Sequence, residues 1–224
     1  YRDVIGKGER VIAVPEDPRE RETKHWTGPW DDTILCHECE SRFNKYDQVG
    51  VEALRRQPVS VSGSSEIGEL TGTHAGSLKL YFMHALWRAC ESSLEQMAHV
   101  TPDVVLRPTR LRELLLKNDP GEENDFPVIL VRYDPHSELG DGLIGMAEVC
   151  VWKPTQGRLV VFQIGLWRVS ITVSAGGVPR LFRQLAVVPG APVRVGLGGD
   201  LLKCATMQRA LTAASARGWA TRMG

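Results

Sequence analysis

Two cysteines separated by two residues are the clearest chemical signal in this chain. Cys36 and Cys39 stand in the segment Ile-Leu-Cys-His-Glu-Cys-Glu, just before a pattern typical of a helix. Thiolates at this spacing can bind one tetrahedral Zn²⁺. Since zinc needs four ligands, the others are expected to be His25 or His37, or residues upstream of Tyr1. The alternatives are a redox-active dithiol, which belongs in a βαβ context that the sequence does not show, and two buried thiols.

The helix that follows the cysteines carries further polar groups. Glu40, Asn44 and Asp47 recur at i, i+4 and i+7, which would place them on one flank. Two carboxylates and an amide could contact a hard cation or its waters, so these three are weak candidates for a catalytic role. The alternative is a solvated polar flank.

Basic side chains on the same helix could contact phosphates. They are Arg42, Lys45, Arg55 and Arg56, and their alternative role is to keep the helix soluble. Residues 195–200 form a glycine-rich segment that could bind an anion at a helix start, but it lacks the P-loop lysine. A tight turn from strand to helix is the simpler interpretation.

The first half of the chain predicts helices. They cover 40–56, 76–100 and 108–117, and a Ser-, Gly- and Thr-rich linker is expected over 59–75. The helix over 76–100 is apolar on nearly its whole circumference, so it should be the packing centre, with Trp87 almost fully buried. His84 is expected to be structural.

After residue 125 the pattern favours strands. They are predicted over 128–133, 145–152, 158–164, 166–174 and 179–188, with a hairpin turn at 175–177. Asp200 should cap a last helix, 201–217. The expected fold class is α+β: a zinc-knuckle and helix region, a buried helical core, and a C-terminal antiparallel sheet with a closing helix.

Composition narrows the class of protein. The chain has 224 residues, 42% hydrophobic residues, a net charge of zero and an odd number of cysteines, five. Neutrality excludes a strong overall attraction to nucleic acid or membrane, so any such surface must be local. Odd, unpaired cysteines favour a reducing compartment, and we expect a cytoplasmic protein. No apolar run reaches the ~18 residues of a membrane span, and no signal peptide is evident.

The segment Leu35-Cys36-x-x-Cys39-Glu40, followed directly by a helix, resembles the second half of the HNH endonuclease motif, as found in bacterial and prophage proteins. The resemblance covers about residues 30–56. It implies a treble-clef or ββα-metal finger with structural zinc, and a catalytic histidine on a strand upstream of the second cysteine pair. Asp31 stands where the family has a middle Asn, and the first C-x-x-C pair is not present, so the catalytic histidine is expected upstream of Tyr1.

This resemblance divides the chain into a partial HNH-like zinc-finger region, 1–58, and an α+β body, 76–224. The body would comprise a helical core over 76–118, an antiparallel sheet over 126–196 and a helix over 200–217. The leading hypothesis is an HNH-like protein that acts on nucleic acid, DNA rather than RNA. It would be a hydrolase using Mg²⁺ or Mn²⁺ or a degenerate, non-cutting relative. The alternative is a non-enzymatic module that binds a protein partner or itself, with the knuckle as a structural staple.

Overall fold

A computed structural model describes most of the central part of the chain. The described residues are 11–13, 23–25, 34–55, 59–61, 66–94, 97–98, 100–134, 147–152, 158–164, 166–174, 178 and 180–200. They form three α-helices: α1 (His37–Arg55), α2 (Ala75–Glu91) and α3 (Pro108–Lys117). The nine strands are β1 (Val11–Ala13), β2 (Thr23–His25), β3 (Val59–Val61), β4 (Ile67–Leu70), β5 (Val128–Asp134), β6 (Ala147–Trp152), β7 (Leu159–Ile164), β8 (Trp167–Thr172) and β9 (Val193–Asp200).

The strands form two sheets. β1 and β2 pair antiparallel as a two-stranded ribbon, and the other seven follow the order β3-β4-β9-β5-β8-β7-β6. Every neighbouring pair in the large sheet is antiparallel except β5 and β9, which run parallel. The α+β class is therefore confirmed, but the sheet is mixed and not purely antiparallel.

Two segments differ from their predicted structure. Residues 59–70 contain the strands β3 and β4, not only a linker, because β9 supplies a partner for β4 in the register Leu70 to Val193. Residues 179–188 were predicted to be a strand, but Arg180–Leu185 form a 3-10 helix, with a single bridge from Ala186 to Ile129. The predicted turn at 175–177 and the predicted helix over 201–217 lie outside the described residues.

The glycine-rich segment is also a strand. Residues 195–200 lie inside β9 and do not form a turn. A Cβ added at Gly198 would come within 2.6 Å of the Tyr133 ring on β5, so the absence of a side chain lets that ring lie against the strand. Packing against Tyr133 thus explains Gly198, and the positive φ of Gly199 (65°) explains a second glycine. The helix start at which an anion was expected to bind is not formed by these residues.

Helix α2 lies at the packing centre, as its apolar sequence predicts. Burial of these side chains from water is the main stabilising contribution. The core joins α2 to α3 and to the large sheet. Its buried members include Leu78, Phe82, Met83, Leu86, Leu111, Leu114, Leu130, Val169, Ile171 and Val195.

The end of α2 and its tryptophan differ from the prediction. The helix stops at Glu91, nine residues before Val100, because Ser92 adopts an extended conformation and its hydroxyl accepts a hydrogen bond from the Leu94 N–H at 3.2 Å. Trp87 is half-buried, with its ring edge-on to Phe43 at 6.4 Å between centroids. It packs at the margin of the core, between α1 and α2.

Helix α1 is firmly attached to this body. Its buried face carries Phe43, Tyr46, Ala53 and Leu54, and Gly50 allows the Tyr81 ring of α2 to approach where a Cβ would lie 2.4 Å away. At its C-terminal end, the Trp167 Nε1–H on β8 donates to the Leu54 carbonyl at 2.8 Å. Tyr46, Ala53 and Leu54 belong to the same hydrophobic cluster as the large sheet, so the helix of the predicted region 1–58 shares its core with the body.

Candidate functional site

The two cysteines lie at the N-terminal end of α1, in a segment that we call the thiol turn (residues 34–40). The Cys36 carbonyl accepts the first helical hydrogen bond, from the Glu40 N–H at 2.9 Å, so Cys36 is the residue that precedes the first helical position. Cys39 is the third helical residue. Cys36 is exposed and Cys39 half-buried, so the interpretation as two buried thiols is wrong for Cys36.

The two thiols interact directly. Hydrogen bonds from the backbone and then from the side chain of Cys39 lower the pKa of the Cys36 thiol, and the backbone N–H of Glu38 adds to the effect. The N-terminus of a helix favours a thiolate in the same way, through its unpaired N–H groups. Cys90 on α2 is the opposite case, because burial raises the pKa of its thiol to about 12. Cys36 is therefore the more readily ionised of these two.

The other expected zinc ligands are less fully described. His25 is the last residue of β2, where its backbone pairs with Val11, and its side chain lies outside the described part of the structure. His37 is exposed at the first helical position. Among the side chains that are described, no three or more His, Cys, Asp or Glu residues converge as a metal site would require. Cys36, Cys39 and His37 are thus the expected ligands whose side chains the structure describes.

The acidic flank of α1 is divided between two environments. Asp47 is held by Arg88 of α2 through two hydrogen bonds, 3.2 Å from Nη1 to Oδ1 and 2.9 Å from Nη2 to Oδ2. Both its carboxylate oxygens are therefore engaged in joining α1 to α2. Asn44 is exposed and Glu40 is half-buried in the first turn, next to the thiol turn.

The basic residues on α1 are partly described. Lys45 is exposed, and its ammonium lies 4.8 Å from the centroid of the Tyr46 ring. Arg55 is exposed in the last turn. The side chain of Arg42 and all of Arg56 lie outside the described residues.

A second polar cluster, which the sequence did not predict, surrounds Lys79 on α2. Lys79 is fully buried, and its ammonium donates to the Glu122 carbonyl at 2.6 Å. Glu122 belongs to the segment 118–125, which we call the lysine loop; left-handed φ angles at Asn118 (53°) and the adjoining Phe126 (47°) bracket it. Burial lowers the pKa of Lys79 to about 8, against the opposing charges of Asp125, Asp119 and Glu123.

Asp125 is the anionic centre of the lysine loop. It accepts hydrogen bonds from Arg107 at 3.2 Å, from Arg110 at 2.9 Å and from the Glu122 backbone N–H at 3.3 Å. Burial raises the pKa of the Asp125 carboxyl, but the Arg110 and Glu122 hydrogen bonds and the two guanidinium charges outweigh it, so the net pKa is lowered. The sequence signal for this cluster was a lysine between Leu78 and Leu80 in a nearly apolar helix.

Two histidines have structural positions. His84 is buried on α2, between the rings of Phe43 (3.8 Å between centroids) and Tyr46 (5.6 Å) of α1. His74 precedes α2, and its Nδ1 accepts the Ser77 backbone N–H at 3.3 Å, which caps the helix.

Comparison with known proteins adds no relative. No model of a protein family matches the chain, no curated protein matches it, and no solved structure matches it. Within the part of the chain that the structure describes, none of the helices has the length and apolar character that crossing a membrane requires.

Proposed function

We propose that this chain is part of an HNH-like zinc-finger protein that acts on nucleic acid, with the thiol turn as one half of its zinc site. One observation carries the proposal, which is the position of the two cysteines. Cys36 lies immediately before α1 and faces solvent, Cys39 is the third residue of the helix, and the two thiols interact. Two thiolates in one turn of chain are what a zinc knuckle contributes.

The order of elements supports the same proposal. The antiparallel ribbon of β1 and β2 precedes α1, which is the strand-strand-helix order of a ββα-metal finger. His25 ends β2, so it is a strand-borne histidine upstream of the cysteine pair, although we expected that histidine further upstream. His25 is therefore our first candidate for a third zinc ligand or for the general base.

Each residue would have a defined part in this function. Cys36, Cys39 and His25 would hold a structural Zn²⁺, which would fix the thiol turn against the ribbon. Lys45 and Arg55, with Arg42 and Arg56, would contact phosphates beside the finger. Asp47 would act only by fixing α1 to α2, because Arg88 occupies both its carboxylate oxygens. A nuclease would also need Mg²⁺ or Mn²⁺, which supplies a water nucleophile when bound.

Zinc content tests the first half of the proposal. Protein purified without chelator should contain equimolar zinc by elemental analysis, and Cys36→Ser or Cys39→Ser should abolish it. Cys90→Ser is the matched control, because Cys90 is a half-buried thiol on another helix, and it should keep the metal. A zinc-free wild-type protein would contradict the zinc site.

Binding to nucleic acid tests the second half. Fluorescence anisotropy with duplex DNA should give a Kd that rises steeply with salt. Lys45→Ala and Arg55→Ala should each weaken binding and lower the slope of log K against log salt by about 1. Arg112→Ala is the control, since Arg112 is exposed on α3. Absent or salt-insensitive binding would favour the alternative, a module that binds a protein partner.

Cleavage is the third readout. We expect this 224-residue chain alone to leave DNA and RNA uncut in Mg²⁺ or Mn²⁺, because the first cysteine pair of the family motif is missing from it. Robust metal-dependent cleavage would contradict this expectation, and His25→Ala would then show whether His25 is the base.

A further inference from the structure

The thiol turn has the arrangement of an exchangeable dithiol. Cys36 is exposed immediately before α1, whereas Cys39, three residues further along the chain, is half-buried in the first turn of the helix. An accessible thiol beside a more protected one separates the roles of attacking and resolving sulfur. The chain therefore offers both sulfurs that a disulfide needs within four consecutive residues at the start of α1.

We propose that Cys36 and Cys39 exchange with small disulfides, such as oxidised glutathione, and close into an intramolecular disulfide. This activity goes beyond the proposed function and does not depend on it, because the reaction needs neither zinc nor nucleic acid. Where zinc is bound, the same two sulfurs are its ligands, so the metal and the disulfide exclude each other.

The exchange has two steps. The Cys36 thiolate attacks one sulfur of oxidised glutathione, the S–S bond of glutathione breaks, and one glutathione thiolate leaves. The Cys39 thiolate then attacks the Cys36 sulfur of the mixed disulfide and expels the second glutathione thiolate. Two protein thiols lose two electrons, one oxidised glutathione becomes two reduced molecules, and the two thiol protons pass through water to the leaving thiolates.

Cys90 is an internal control for this reaction. It is half-buried within α2, and its nearest cysteines in sequence are Cys39 and Cys150, so it has no partner at the two-residue spacing. General oxidation of the protein would modify Cys90 and Cys36 alike, whereas exchange at the thiol turn would leave Cys90 reduced.

The sequence makes the product simple to detect. Trypsin cleaves after Lys24 and Arg42, and no Lys or Arg lies between them, so residues 25–42 form one peptide that contains both cysteines. The whole chain is treated with oxidised glutathione, its remaining thiols are alkylated, and the digest is analysed by mass spectrometry. The peptide should be unalkylated and lighter by two hydrogen atoms, while the Cys90 peptide should be alkylated.

Two variants test the order of the steps. Cys39→Ser should stop at the mixed disulfide, so the peptide should keep one glutathionyl group on Cys36. Cys36→Ser should react several-fold more slowly, because the remaining thiol is half-buried. A wild-type peptide that carries two alkyl groups or two glutathionyl groups, with no internal disulfide, would overturn the proposal.

A zinc arm separates this proposal from the zinc site. Protein preloaded with Zn²⁺ that resists oxidised glutathione supports both, because the ligands are then protected. A disulfide that forms at the same rate with and without zinc supports the exchange and contradicts the zinc site. Failure of the disulfide to form in zinc-free protein overturns the exchange and leaves the metal measurements unaffected.

Discussion

The thiol turn and the lysine loop are two polar regions that differ in whether their polar groups bond within the protein or face solvent. In the lysine loop, the charged groups at its centre contact other groups of the protein: Lys79 donates to a loop carbonyl, and Asp125 accepts from two arginines. In the thiol turn, Cys36 and His37 face solvent at a helix N-terminus, and Cys36 interacts mainly with Cys39. The first arrangement leaves its charged groups bonded within the protein, and the second leaves donor atoms available to a ligand.

The comparison shows why an unusual pKa alone does not identify a site. Lys79 has a strongly shifted pKa, but its ammonium is buried and already bonded inside the protein. Cys36 has a lowered pKa and an exposed sulfur. Accessibility together with a perturbed pKa is the better criterion, because a ligand must reach the group.

The largest effect is expected at the anion of the lysine loop. Asp125→Asn should lower the free energy of unfolding by about 2 kcal/mol, because it removes the charge that two arginines and a buried lysine share. Solvent screening limits the loss, because the Arg107 and Arg110 side chains are 38% and 41% exposed. Urea denaturation at pH 7 measures it. Asp103→Asn, at an exposed position, should change little; equal effects of the two variants would remove the distinction between the regions.

The next effect concerns pH. The pKa of Lys79 is about 8 in the folded protein, against 10.5 ordinarily, so between these values the unfolded chain binds more protons and the Lys79 contribution to stability rises with pH. Lys79→Met should remove this rise and leave the protein about 1–2 kcal/mol more stable at pH 7, since the buried ammonium charge is then absent. Denaturation from pH 7 to 10.5 tests this, with exposed Lys117→Met as control; a parallel pH profile for Lys79→Met and wild type would contradict it.

A smaller effect is expected where α1 is anchored. Trp167→Phe keeps the ring but removes the bond from Nε1–H to the Leu54 carbonyl, so it should cost about 1 kcal/mol. Hydrogen exchange should quicken in the last turn of α1 and stay unchanged in the thiol turn. Exchange that quickens along the whole helix would mean that the thiol turn depends on this anchor.

The smallest effect should come from the thiol turn itself. In zinc-free, reduced protein, Cys36→Ser should leave the unfolding midpoint within experimental error, because an exposed thiol buries little surface. Added Zn²⁺ should raise the midpoint of wild type and not that of the variant, by mass action on the folded state. A large loss of stability in zinc-free Cys36→Ser would show that the turn is structural.

Local signals predicted some elements well. Helix α3 has the predicted bounds, 108–117, because Pro108 begins it and Asn118, in the left-handed conformation, ends it. Strand β8 was evident from its alternation, with Trp167, Val169 and Ile171 buried. In both cases the decisive residues are neighbours in the sequence.

Other elements depend on partners far along the chain. The residues around Ile67–Leu70 do not predict a strand. The segment is a strand because it pairs with β9, which lies more than 100 residues later in the chain. The cysteine pair of the candidate site could be read from spacing, whereas the lysine loop could not, because Lys79 and Glu122 meet only when α2 packs against the loop. Such pairings need the folded topology.

The place of β9 between β4 and β5 has a consequence for how the protein is made. A ribosome delivers the β3–β4 pair and the four strands β5 to β8 before β9, so β4 and β5 each present an open edge until residues 193–200 emerge. The nascent chain therefore contains two partial sheets that cannot join before β9 is synthesised. Such long-range pairing is slow, and the open edges favour contact with chaperones or other chains in the meantime. A stop codon before residue 193 would leave both edges open permanently, so shortened products should aggregate and not simply lose stability.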